Sequence, residues 1–185
     1  MNLKSLAPNQ AERLLILNCN QILYEPTSDF LWQNPLNPKR LRDDIDTILN
    51  FYVQKRYLIV GVSHEIDVGL GLRAMEDCFN TQINLLEELP QILGVLFCPD
   101  LAGQTCLWAQ GYEILNVTHL SSYRGLYSKS SPGLVSAAID QLGMLDRKQD
   151  CLYVGDHHDD QGIASQIGIP FEWAQHWLAS RPLLN

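Results

Sequence analysis

No apolar run in this chain approaches the ~20 residues needed to cross a bilayer. The opening residues MNLKSLAPNQAER also lack the apolar core of a signal peptide. No membrane association is expected. Basic residues are scarce: 13 Lys and Arg stand against 21 Asp and Glu, a net charge of −8. That balance argues against a broad electrostatic grip on nucleic acid or an anionic membrane, while a small anion could still be held by local groups. Nor does the cysteine pattern suggest a disulfide framework. The five cysteines, Cys19, Cys78, Cys98, Cys106 and Cys151, are an odd number and far apart. Reduced thiols in a cytoplasmic protein are expected. There is no internal repeat and no linker, so a single domain over 1–185 is expected.

What the chain has is alternation. Short apolar runs bounded by turn formers read as strands buried on both faces. They fall at 14–17, 57–62, 92–97 and 151–154, with shorter ones at 112–117 and 169–171. Helical spacing of apolar residues runs through 41–52, with acids near its start, and through 73–89, where Met75 belongs to the inner face and Pro90 stops it. Pro132-Gly133 opens a helix through 142, which Gly143 ends. Helices at 162–167, closed by Gly168, and at 173–178 complete the set. This order predicts a three-layer α/β sandwich with a central parallel sheet. The segment 24–40, with Phe30 and Trp32 as aromatic anchors, and the segment 101–128 are read as irregular loops, where substrate choice would reside.

Residues just past the carboxyl ends of such strands share one crevice. Asn18 and Asn20 are two apart, so on a strand both face one way and Cys19 the other. Ser63 follows the strand at 57–62, and Asp156 and Asp160 follow the one at 151–154. Lys129 precedes a helix start. A hydroxyl and a lysine beside a Gly-Asp turn suit a phosphate. The hydroxyl and backbone N–H groups donate to its oxygens, the lysine offsets charge, and acidic or amide oxygens hold Mg²⁺ on the other side. Each residue alone has a plainer reading: turn amides, a strand-end hydroxyl, a solvated lysine, a helix cap. The adjacent His157 and His158 diverge, which suits an exposed pair better than a metal site.

In order and spacing, these stretches resemble the haloacid dehalogenase (HAD) superfamily of phosphatases. The nearest branch is the one holding heptose bisphosphate phosphatases, histidinol-phosphate phosphatases and the polynucleotide 3′-phosphatase domain. The resemblance runs from Leu14 to Ile169. NCNQI stands where the family has DxDGT. SHEIDVGLG matches a TNQSGIARG-type stretch, with Ser63 at the hydroxyl position. SKSSPG supplies Lys129, and VGDHHDDQGIASQIGI matches GDxxxD through Asp156 and Asp160. The resemblance implies covalent catalysis. A carboxylate at the nucleophile position, held by Asn18, would attack phosphorus. A second at the acid/base position, held by Asn20, would transfer protons, while Mg²⁺ offsets charge. It implies Ser63, His64 and Lys129 as substrate contacts. It also implies Asn18, Asn20, Asp156 and Asp160 as the magnesium-side residues, and a small phosphorylated molecule as partner.

The same match marks the departures. A carboxamide has no anionic oxygen to attack phosphorus and does not titrate near neutral pH. Losing either role costs orders of magnitude in rate, and both are lost. One anionic ligand is missing as well, so Mg²⁺ is expected to bind weakly or not at all. Leu70 stands where the branch often has a substrate-binding arginine. Its zinc loop, CPH…CxC, is reduced to Cys98, Asp100, Cys106 and Trp108, so zinc is not expected. The leading expectation is a phosphatase-like protein whose hydrolysis is lost or strongly reduced and whose role is binding. One alternative is an active Mg²⁺-dependent phosphomonoesterase in which water attacks with help from Asp156, Asp159 or a histidine. The other is a ligand-free protein that serves a protein partner.

Overall fold

The computed structural model describes residues 12–25, 40–120 and 122–180; the anchors Phe30 and Trp32 lie outside the described residues. In chain order the first elements are β1 (Arg13–Asn18), α1 (Cys19–Ile22), α2 (Ile45–Gln54), β2 (Tyr57–His64), α3 (Ile66–Gly69), α4 (Met75–Glu88) and β3 (Ile92–Cys98). Then come β4 (Leu107–Gln110), β5 (Glu113–Asn116), α5 (Gly133–Gln141), β6 (Cys151–Gly155), α6 (His158–Ile167), β7 (Phe171–Trp173) and α7 (Ala174–Ala179).

The strands form one sheet in the order β5-β4-β3-β2-β1-β6-β7. β1 lies between β2 and β6 and is parallel to both. Leu14 to Leu17 are completely buried, because an interior parallel strand sends alternate side chains into two helical layers. Leu14 and Ile16 pack in one apolar cluster with Leu134 and Val135 of α5 and Ile163 of α6. Leu15 and Leu17 pack in the other, with Ile48 of α2, Leu85 of α4 and Trp177 of α7. The chain runs outward through β2 and β3, then returns to β6 on the far side of β1. The carboxyl end of β1 is therefore the switch point where open α/β sheets place their ligands.

The expected α/β sandwich is present, with local differences. The sheet is not wholly parallel, because β4 pairs antiparallel with β3, and β5 antiparallel with β4. β4 lies inside the stretch 101–128 read as an irregular loop. A two-residue turn joins it to β5, where Gly111 takes a φ of +54° that glycine adopts without strain. The helix expected over 41–52 begins later, at Ile45, and Leu41 instead forms a bridge with Tyr24. Met75, assigned to an inner face, is 40% exposed at the start of α4. α6 begins at His158 rather than 162, because a capping box between His157 and Asp160 starts it a turn earlier. The last strand occupies 171–173 rather than 169–171. Among the described residues, no helix is long and apolar enough to cross a membrane.

Candidate functional site

At the carboxyl edge of β1, β2 and β6 lies a cleft of about 250 Å³. Asn18, Asn20, Ser63, His64, Lys129 and Asp160 all line it. Asn20 arrives there by a route other than strand alternation. β1 ends at Asn18, and the chain turns into the short helix α1. Cys19 points away, as expected, and is buried in the opposite layer beside Gly61, where a Cβ would lie 2.3 Å from its Sγ. Asp156, the fourth expected metal-side residue, is not part of the cleft wall. It stands half-buried beside it, with its backbone N–H donating to Asp160 at 3.1 Å.

Asp160 is the hub of the site and is 1% exposed. Its Oδ1 accepts from the Tyr153 hydroxyl at 2.7 Å, and its Oδ2 accepts from the N–H groups of Asp156 and His157 at 3.1 and 3.2 Å. The Asn18 carboxamide sits astride both oxygens, with Nδ2 at 3.3 and 3.2 Å. Gly155 makes the close fit achievable, since a Cβ there would lie 2.4 Å from the Cβ of Asp160. Burial, and then the Asp160 charge, push the Tyr153 phenol well above its ordinary pKa, so it remains a donor. The carboxyl of Asp156 is also pushed upward. Burial leads, the Asp160 charge adds to it, and Lys129 opposes it.

A second network lies behind Ser63, which is 2% exposed. The Ser63 hydroxyl accepts from Asn20 Nδ2 at 2.8 Å and donates to Glu65 Oε1 at 2.6 Å. A hydroxyl has one proton, and here it goes to Glu65 rather than into the cleft. Glu65 is buried and would be costly to hold there unpaired. Gln82 donates to it at 3.0 Å and Arg73 forms an ion pair with it at 2.9 Å. Arg73 in turn donates to Thr81 and to the Asp77 carbonyl.

His64 links two loops. Its Nδ1 accepts from the Lys129 backbone N–H at 3.0 Å, so the ring proton sits on Nε2 and is donated to the Asp100 carbonyl at 2.9 Å. His64 thus holds the Lys129 backbone, and the Lys129 side chain is exposed at the cleft. Asp159 lies outside the cleft wall and accepts from Ser130 at 3.0 Å.

In the loop with the zinc-like pattern, Asp100 closes its own turn. Burial works against its charged form, but the N–H groups of Gln104 and Thr105, at 3.0 and 2.7 Å, outweigh it and the net shift is downward. Burial pushes the Cys98 thiol up to about 11 and the Cys106 thiol higher still. Among the described residues, no group of three or more His, Cys, Asp or Glu side chains could hold a metal ion.

Two residues of the site were not found from sequence: Tyr153 and Glu65. A signal existed for each. Tyrosine in a buried strand needs a partner for its hydroxyl, and a glutamate at a buried strand end needs a donor such as Arg73.

The residues present do not fit Mg²⁺ as they stand. The ion demands close to octahedral oxygen ligands at about 2.0–2.1 Å. Both Asp160 oxygens already accept protein hydrogens. The mostly parallel sheet, its strand order and the helices on both faces give an α/β fold of the HAD-like, Rossmannoid kind. The chain is similar to the crystal structure of D,D-heptose 1,7-bisphosphate phosphatase from B. bronchiseptica complexed with magnesium and phosphate. The TM-score is 0.61 at 15% identity, over 92% of this chain and 89% of that one. At that identity the likeness is one of fold. No protein-family profile matches the chain, and no curated protein matches it.

Proposed function

We propose that this protein is a phosphatase-fold binding protein whose phosphomonoester hydrolysis is lost or strongly reduced, and that its cleft takes a small phosphorylated molecule. The observation that carries the reading is the Asn18 carboxamide turned onto Asp160. At the nucleophile position stands a neutral amide whose Nδ2 donates to a carboxylate. Asn20, at the acid/base position, donates to Ser63 and has no proton to give a leaving group at neutral pH. The ligand half of the reading rests on Lys129, a cation at an open cleft. One lysine against Asp156 and Asp160 makes weak binding the expectation.

The test has two arms. p-Nitrophenyl phosphate with millimolar Mg²⁺ is expected to turn over no faster with the wild-type protein than with Asp156→Ala. Clear turnover above that control would refute the loss of hydrolysis and favour the altered-mechanism enzyme. Orthophosphate at millimolar concentration is expected to raise the melting temperature, and Lys129→Ala to remove the rise. No rise in the wild-type protein would refute ligand retention and leave the cleft a relic.

A further inference from the structure

We propose that the Asn18 carboxamide takes the place of a divalent cation, so that this cleft is metal-independent by construction. The inference rests on the reading of the cleft as a phosphatase-type site, and it concerns what holds that site together. A carboxylate offers about four lone-pair sites. On Asp160 these face the Tyr153 hydroxyl, two backbone N–H groups and the two-point contact of Asn18 Nδ2. Nδ2 stands nearly equidistant from the two oxygens, at 3.3 and 3.2 Å, so one donor serves both. The reverse amide orientation would set Oδ1 against the carboxylate, so hydrogen-bond chemistry fixes which atom faces Asp160. An aspartate at 18 would face a buried carboxylate with no proton between them. Like charges at that range share a site only with a cation or a proton between them. The amide removes one of the two charges and supplies a hydrogen-bond donor in place of a cation's positive charge.

The experiment is a melting series in EDTA and in millimolar MgCl₂ on the whole chain. Wild type is expected to melt at the same temperature in both. Asn18→Asp is expected to melt several degrees lower in EDTA and to recover with Mg²⁺, with a concentration dependence set by its affinity. If Asn18→Asp fails to fold in either buffer, Asn18→Ala serves instead: with the amide gone, Asp160 and Asp156 are opened to Mg²⁺, and a Mg²⁺-dependent rise is expected there. A Mg²⁺-dependent rise in wild type that Asp160→Asn abolishes would overturn the proposal. So would the absence of any rise in both substituted proteins. Turnover by wild type in the aryl-phosphate assay would remove the binding-protein reading without altering these melting temperatures, so the two failures are told apart.

Discussion

Replacing Tyr153 by Phe removes one hydroxyl from the Asp160 hub and leaves the rest of the ring in place. The ring is 2% exposed, and its edge contact with Phe171, centroids 6.0 Å apart, survives the change. What is lost is a 2.7 Å hydrogen bond to a buried carboxylate. Hydrogen bonds to charged groups contribute roughly 1.5–3 kcal/mol, and an under-satisfied buried acceptor adds a penalty of its own. Asp160 keeps the Asn18 amide and two backbone donors, so a cost near the lower end, about 2 kcal/mol, is expected. In a chain of this size each kcal/mol moves the melting temperature by roughly 2–4 °C, so the shift should be about 4–8 °C. Urea denaturation should show a lower midpoint with an unchanged slope. The phenol is held well above its ordinary pKa, so the loss should stay flat between about pH 6 and pH 9. In an Asp160→Asn background the same change should cost much less, since residues in one network couple by roughly 0.5–3 kcal/mol. A loss below about 0.5 kcal/mol, the ordinary range for a surface substitution, would refute the hub. An equal loss in both backgrounds would do the same.

Two further predictions follow from the charges around that hub. Asp156 has its pKa raised from 3.8 by burial and by Asp160. Its protonated form is thus favoured by folding, a contribution complete below the unfolded value and lost as pH rises through the folded one. Asp156→Asn should therefore raise the melting temperature at neutral pH, with the gain shrinking as pH falls through the carboxylate range; an equal or lower melting temperature at neutral pH contradicts this. Asn18→Asp combined with Asn20→Asp should create or raise Mg²⁺-dependent hydrolysis of an aryl phosphate above wild type. A double variant that folds, binds Mg²⁺ and stays inert on a broad phosphate-ester panel would mean that the cleft has drifted beyond its first motif.

Much of the fold was legible because an interior strand needs an unbroken aliphatic run, and 14–17, 57–62, 92–97 and 151–154 supply four of them. β4 escaped notice because an edge hairpin obeys a weaker rule. LWAQ and EILN are four residues each, and their pairing depends on Gly111 at the turn more than on periodicity. The start of α6 was missed for a related reason. Its cap is the histidine His157, outside the usual capping residues, and only the return bond from Asp160 reveals the capping box.

The site was legible as a set of positions and less so as a set of bonds. Asn18, Asn20, Ser63, Lys129 and Asp160 meet at one cleft, as strand ends in a parallel sheet require. Their hydrogens, however, are assigned by partners that spacing does not reveal. Ser63 donates to Glu65, and Glu65 is anchored by Arg73 and by Gln82. In the sequence, an amide in place of an aspartate registers only as a missing charge. Once folded, it also supplies an N–H donor, and at Asn18 Nδ2 faces both oxygens of the Asp160 carboxylate. On the proposed reading, a carboxamide at position 18 accounts for absent hydrolysis and absent metal dependence together, because it lacks both the attacking oxygen and the charge that would repel Asp160.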